Sequence, residues 1–143
     1  MHAISRRSVF TVAIAAGVLV IGRAYPALAE DVQVMLSGSQ EVPLVTSSGS
    51  GSGTISIRDD KTVSGSVTTT GVTGTMAHIH NGAAGKNGPV VIPLTKTGDN
   101  GWAVPPGAKL TDAQYAAFKA GDLYVNVHSA QHQGGEIRGH LKP

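Results

Sequence analysis

Two histidines placed two positions apart are the residues of this chain with the clearest potential for chemistry. His78 and His80 lie in the stretch 74–93, GTMAHIHNGAAGKNGPVVIP, where a loop rich in glycine and asparagine follows them. Side chains two apart on a β-strand point to the same face, so both imidazoles project together if this stretch is a strand. A functional site then needs a further group from another part of the chain.

Three predicted strands carry polar residues on the face opposite their apolar residues, which we expect to point outward. They cover 75–80 (His78 and His80), 123–129 (Tyr124, Asn126 and His128) and 136–141 (Glu136, Arg138 and His140). If these strands are neighbours, three or four imidazoles converge. Imidazole suits copper and zinc, and three histidines with an open position are a common arrangement for a reactive metal.

These histidines also have interpretations without a metal. A His-x-His pair occurs on surface strands by chance, and His128 could simply hydrogen-bond a neighbouring loop. His132 lies in the predicted loop 129–135 and is expected to be solvated, while His140 is close to the C-terminus and could be a plain surface residue.

Four other residues have side chains that could take part in a redox site. Met35 and Met76 could be soft ligands for copper, although the sequence favours core positions for both. Tyr124 and Trp102 are interpreted as packing groups rather than redox partners.

Glycines and short β-branched runs dominate the elements that must position these residues. With 19 glycines and runs bounded by turn residues, the chain is predicted to be all-β. Alternation predicts strands over 32–36, 54–58, 63–70, 75–80, 90–94, 123–129 and 136–141, with a hairpin over 54–70. Segments 37–53 and 98–106 are predicted as loops, the first with a short edge strand near 42–45.

One short helix is predicted after residue 111. Thr111 and Gln114 form a T-x-x-Q capping box, and Tyr115 and Phe118 share a helix face. Gly121 provides the C-terminal stop.

The first 29 residues have the pattern of a signal peptide. Arg6 and Arg7 precede a mostly apolar run over 9–21, and Ala27-Leu28-Ala29 is a small-x-small cleavage signal. The run is shorter than a comfortable membrane span. SRRSVF (5–10) loosely resembles a twin-arginine signal, so both export routes stay open, as does an uncleaved N-terminal anchor. We expect a periplasmic or secreted domain over 30–143, with no membrane association once the leader is removed.

Charge and composition exclude several function classes. Three of the 11 Lys and Arg residues lie in the leader, which leaves 8 against 9 Asp and Glu, a net charge of −1 for the mature chain. That balance and the lack of a basic cluster argue against nucleic-acid binding. There is no cysteine, so metal ligands are limited to His, carboxylate or Met. Neither a G-x-S-x-G elbow nor a G-K-[ST] phosphate loop is present.

Several spaced motifs together resemble the CHRD (chordin) domain family. They are SGSQEVPLV (37–45), GSGTISI (51–57), AHIHNGAAGKNGPVVIPL (77–94), LTDAQYAAFKAGDLYVNVHS (110–129) and GGEIRGHL (134–141). The resemblance implies an immunoglobulin-like or Greek-key β-sandwich and says little about activity. The family more often has a second proline where Leu44 stands and glutamine where His140 stands.

A more distant similarity connects the chain with copper/zinc superoxide dismutases, which are also Greek-key β proteins. Their copper ligands include an H-x-H pair on one strand and a V-H histidine on a later strand. His78, His80 and His128 look like these ligands, and Arg138 after Gly134-Gly135 looks like the arginine that guides the anion. The zinc ligands and the cysteines of that family have no counterparts in this chain.

Together these observations predict an exported β-sandwich that binds a copper ion through His78, His80 and His128. Arg138 would attract an anion to the open position or hold a residue that positions a ligand. Redox activity like that of a superoxide dismutase is the sharper version of this hypothesis. The alternatives are a non-catalytic extracytoplasmic binding or adhesion module with an unknown protein partner, and a purely structural secreted domain in which His78 and His128 are hydrogen-bonded across strands.

Overall fold

The computed structural model describes residues 28–143, in which nine strands and one α-helix follow one another. The strands are β1 (Ala29–Ser37), β2 (Ser50–Arg58), β3 (Val63–Thr70), β4 (Gly74–Asn81), β5 (Val90–Pro93), β6 (Thr95–Lys96), β7 (Gly101–Ala103), β8 (Leu123–Ser129) and β9 (Ile137–Leu141). A 3-10 turn (Gly38–Gln40) follows β1, and helix α1 (Asp112–Lys119) precedes β8. The predicted signal peptide lies outside the described residues, except for its last two positions, and stays a prediction.

The strands form one antiparallel sheet that curls until it is nearly closed. The order across the sheet is β5-β4-β8-β9-β1-β2-β3-β7-β6. Its two outermost strands are consecutive in sequence and separated by Leu94 alone. Lys96 Nζ on β6 donates a hydrogen bond to the Gly74 carbonyl on β4 (2.9 Å), which brings the two ends together. The predicted all-β fold, a sandwich or barrel with one short helix, is confirmed.

Alternation along the strands builds the core on the concave face of the sheet. Val32, Val34 and Leu36 on β1 are buried while their neighbours along the strand are more exposed. Leu123, Val125 and Val127 on β8 point to the same core, as do Ile137 and Leu141 on β9. The hairpin of β2 and β3 is also confirmed, because the two strands pair antiparallel from Ser50↔Thr70 to Ile57↔Val63.

The helix forms as its capping sequence predicts. Thr111 Oγ1 accepts a hydrogen bond from the Gln114 backbone N–H, and Gln114 Oε1 accepts one from the Thr111 N–H. Phe118 is fully buried against the core, and Gly121 after the helix has φ +79°. Within the described part of the chain, no helix has the length and hydropathy needed to cross a membrane.

The segment 98–106 is predicted from the sequence to be a loop, and that prediction is wrong at its centre. Trp102 lies on β7, pairs with Val67 on β3 and is only 2% exposed. Burial of a large aromatic side chain contributes a few kcal/mol, so Trp102 holds this short strand against the sheet. The local sequence carries no alternation that would have predicted the strand.

The segment 37–53 also differs from its prediction. No strand forms at 42–45, and β2 begins at Ser50 rather than at Thr54. Instead, the backbone N–H groups of Glu41 and Val45 both donate to the Gly38 carbonyl. These bonds fold the segment back across the sheet, and the Val42–Pro43 peptide bond there is cis.

The polar face of β8 and β9 was expected to point outward, and it is largely buried. All seven residues of β8 are buried, and Arg138 on β9 is 1% exposed. Segment 41–45 and the loop 82–88 lie over this face and contact it through Glu41, Lys86 and Asn87. The sheet therefore has an apolar core on one face and a covered polar layer on part of the other.

Candidate metal centre

Three histidines converge on the polar face where β4 meets β8. His78 and His80 come from β4 and His128 from β8, and the two strands are adjacent and antiparallel. Their candidate ligand nitrogens all lie within 4.8 Å of one another. The strand periodicity explains this arrangement, because Ala77 and Ile79 between and beside the histidines are buried in the core. The structure thus brings together the three residues predicted from the sequence as ligands.

His80 is held with one nitrogen occupied and the other available. Its Nδ1 lies 2.9 Å from the Gly88 carbonyl oxygen, which can only accept, so Nδ1 carries the proton. The ring stacks on Tyr124 with centroids 4.9 Å apart and planes 3° from parallel. Nε2 is buried and has no hydrogen-bond partner. A buried acceptor without a partner is costly, and a cation would satisfy it.

His128 is oriented in the same way by a different loop. Its Nδ1 donates to the Gln133 carbonyl oxygen at 2.8 Å, and the residue is only 7% exposed. Its Nε2 lies 3.0 Å from Nδ1 of His78, which is partly exposed. Backbone carbonyls that fix the tautomer of a histidine are the usual partners of metal-binding imidazoles.

The spacing of the nitrogens fits a shared ion. Two nitrogens bound at about 2.0–2.1 Å to one ion lie about 3 Å apart at ordinary bond angles. His78 Nδ1 and His128 Nε2 already lie at that distance, in the hydrogen bond across the two strands that the structural alternative predicts. His80 completes the cluster within the 4.8 Å that contains all three candidate ligand nitrogens, and it would have to move closer to bind the same ion.

Burial favours the neutral, metal-binding form of two of these imidazoles. Desolvation lowers the pKa of His78, and the neighbouring His128 and His80 lower it further. Desolvation also lowers the pKa of His80, although its hydrogen bond to Gly88 acts in the opposite direction. Neutral imidazole is the ligand form, so protons compete less for these rings than for exposed histidines.

A buried ion pair lies behind the histidines. Arg138 Nη2 is 3.2 Å from Glu41 Oε2, and the two side chains are 1% and 2% exposed. Glu41 also accepts from Asn126 Nδ2, and Arg138 donates to the Lys86 carbonyl (3.0 Å) and to Asn87 Oδ1. Burial raises the pKa of the Glu41 carboxyl, while the Arg138 guanidinium opposes that shift.

Tyr124 connects this ion pair with the histidines. The Arg138 guanidinium lies 4.0 Å from the centre of its ring, and His80 stacks against the ring as well. The Tyr124 hydroxyl accepts a hydrogen bond from the Gly88 N–H (3.1 Å). Since the Gly88 carbonyl holds His80, these contacts link Arg138 to the orientation of a candidate ligand.

A family model for the CHRD domain matches residues 32–141. This chain belongs to the CHRD domain family. Searches of the curated proteins and of the solved structures found no match. CHRD domains are typically extracellular.

The CHRD motifs named above supply most of the groups around the histidines. Glu41 comes from SGSQEVPLV, Asn87 and Gly88 from AHIHNGAAGKNGPVVIPL, and Arg138 from GGEIRGHL. Glu41, Gly88 and Gln133 were not identified from the sequence as positioning groups. Glu41 is the one charged residue of SGSQEVPLV, which was the available signal for it, whereas backbone carbonyls leave no signal in a sequence.

In this CHRD domain Arg138 is 1% exposed and paired with Glu41. Of its two expected roles, burial and the pairing with Glu41 favour the positioning of a ligand over attraction of an anion. His132 and His140 do not join the histidine cluster. His140 Nδ1 lies 3.4 Å from the Gly121 carbonyl, and its ring is half-buried and 5.4 Å from that of Tyr124.

Proposed function

We propose that this protein is an exported copper-binding domain whose ligands are His78, His80 and His128. The observation that carries the proposal is the buried Nε2 of His80, which has no partner and belongs to the cluster formed with the other two histidines. Hydrogen bonds from His80 and His128 to backbone carbonyls support it, since they put the proton on Nδ1 and leave Nε2 of each ring unprotonated and able to bind a metal.

Copper is favoured over other divalent ions by the ligand set. Imidazole binds copper and zinc well, and for a given site Cu²⁺ stands above Zn²⁺ in the order of affinities. The cluster contains no carboxylate, which argues against magnesium and calcium. Export through either route would deliver the domain to a compartment outside the cytoplasm.

Redox activity is the finer part of the proposal. A three-histidine site leaves a coordination position open, and copper there could cycle between Cu(II) and Cu(I). Dismutation would then oxidise one superoxide to dioxygen and reduce a second, with two protons, to hydrogen peroxide. The likeness to copper/zinc superoxide dismutases in ligand order supports this part, and an assay of superoxide consumption by the copper-loaded protein tests it.

The first test is a titration of the metal-free protein with Cu(II) and Zn(II). We expect one Cu(II) per chain, bound more tightly than Zn(II). His78→Ala and His80→Ala should each weaken copper binding by more than about 100-fold, because loss of a ligand exceeds the 10- to 100-fold effect of a residue behind it. His132→Ala is the matched control and should leave binding unchanged.

Two outcomes would reject the copper site. Binding no tighter than that of an isolated surface imidazole would do so, as would equal losses in the His80→Ala and His132→Ala variants. The CHRD domain would then be a non-catalytic extracellular binding module, and the histidine face would be part of the surface offered to a partner.

A further inference from the structure

Met76 is an exposed apolar residue placed beside the three histidines. It was expected in the core, yet 51% of its surface is exposed. Met76, His78 and His80 occupy alternate positions on β4, so all three side chains share one face of that strand. The core has no part in holding Met76 where it is.

The pairing of β4 with β8 puts Met76 directly opposite a candidate ligand. Met76 and His128 are register partners, and side chains of directly paired residues on one face have Cβ atoms about 4.5–5.5 Å apart. The pairing shifts register between Gly74 and Met76. Such irregularities re-aim side chains and are frequent beside functional sites.

Two of the three imidazoles have contacts that hold them in place. Tyr124 covers one face of the His80 ring, and the Gln133 carbonyl holds the far nitrogen of His128. His78, whose Nδ1 lies 3.0 Å from His128 Nε2, is partly exposed. A flexible thioether on the same face has three rotatable bonds with which to reach an ion held there.

We propose that Met76 is a fourth ligand, through Sδ, that lets the site hold Cu(I). This inference rests on the proposed copper site and extends it to the reduced ion. Thioether sulfur is a soft ligand that selects Cu(I), whereas imidazole serves both oxidation states. Three imidazoles and one thioether provide four donors, and Met76 makes the site favour the reduced form.

The test compares Met76→Leu with the unaltered full-length protein. Leucine keeps the volume and apolar character of the side chain and removes the sulfur. Cu(I) affinity is measured without oxygen against a chromophoric Cu(I) chelator, and Cu(II) affinity by competition with a Cu(II) chelator. We expect Met76→Leu to raise the dissociation constant for Cu(I) by about tenfold or more. Cu(II) binding should change much less.

Met35→Leu is the matched control, because Met35 is also exposed (69%) but lies on β1, away from the β4–β8 pair. It should change neither affinity. X-ray absorption of the Cu(I) form should detect a sulfur neighbour that Met76→Leu removes. Unchanged Cu(I) affinity in Met76→Leu would overturn the role of Met76 alone, whereas a parent protein that binds neither ion would overturn the copper site itself.

Discussion

At the scale of single residues, Tyr124 links the buried Arg138 guanidinium to His80, a candidate ligand. Its ring contacts both the Arg138 guanidinium and the His80 imidazole, and its hydroxyl accepts a hydrogen bond from the Gly88 N–H. From the sequence it was interpreted as a packing residue. Its ring does pack against neighbouring side chains, and its hydroxyl also bonds to Gly88. The local sequence could not predict that hydrogen bond, because Gly88 is 36 positions away.

Removal of the Tyr124 hydroxyl should weaken the positioning of His80 but leave the three histidines together. In Tyr124→Phe the aromatic stack remains, but the Gly88 N–H loses its acceptor and the carbonyl that holds His80 is less well fixed. We expect copper affinity to fall by about tenfold, the lower end of the range for residues behind a ligand. Titration with Cu(II) measures the effect.

Tyr115→Phe is the control for that experiment. Tyr115 also forms a hydrogen bond through its hydroxyl, which donates to Asp59, but it lies on α1, outside the β4–β8 pair that carries the histidines. Its loss should leave copper affinity unchanged. Equal effects in the two variants would mean that Tyr124 does not position His80.

At the scale of elements, Arg138 on β9 holds segment 41–45 through Glu41 and the loop 82–88 through Asn87. Glu41 comes from the first of these segments, Asn87 from the second and Arg138 from the strand, so one buried guanidinium holds both coverings in place. Most of the strands, though not β7, follow from alternation, and the helix follows from its capping box. The positions of these two segments over the sheet could not be predicted, because Glu41 and Arg138 are far apart in the sequence and their pairing leaves no local pattern.

Breaking this pair on one side should be strongly destabilising. Arg138→Met leaves the Glu41 carboxylate buried without its partner, which typically costs about 3–5 kcal/mol. The double variant Glu41→Gln/Arg138→Met should recover much of that loss, because no uncompensated charge remains and the amide oxygen of the introduced glutamine can still accept from Asn126. Urea denaturation of the metal-free proteins measures both.

The exposed pair of Lys119 with Glu30 gives the comparison for the buried one. Lys119→Met should change the unfolding free energy little, since surface ion pairs contribute little. If Arg138→Met is no more destabilising than Lys119→Met, the buried pair is not what fastens the two segments.

At the scale of the whole molecule, stability should depend on pH through buried imidazoles. Desolvation lowers the pKa of His140 most; Arg138 and Lys142 also lower it, while the Gly121 carbonyl and Asp122 act against them. The folded protein therefore resists a proton that the unfolded chain accepts near its ordinary pKa of about 6.5. The contribution to stability is present above that pKa and is lost as the pH falls through the lowered one.

Urea denaturation of the metal-free protein at about pH 7.5 and about pH 5.5 tests this dependence. The parent protein should lose stability on acidification, and His140→Gln should lose less. Glu41 acts in the opposite direction in both proteins, because burial raises its pKa and the folded state takes up its proton first. An equal loss in the two proteins would contradict a role for His140.

The candidate site itself could be predicted in part. The His-x-His spacing and the later histidine identified the three residues that converge, because strand periodicity decides which side chains share a face. Their separation, the unpartnered Nε2 of His80 and the exposure of Met76 depend on the pairing of β4 with β8 and on the covering loops. These are properties of the folded chain, and no single stretch of sequence encodes them.

The closure of the sheet leaves little open edge for a second chain to pair with. In residues 28–143 the outermost strands, β5 and β6, are only four and two residues long. Pro93 cannot donate to a neighbouring strand and Lys96 carries a charge, both of which are devices that discourage edge-to-edge association. The long strands lie inside the sheet with partners on each side. Edge-to-edge association between copies of the domain, a common route to aggregation of β proteins, is therefore disfavoured.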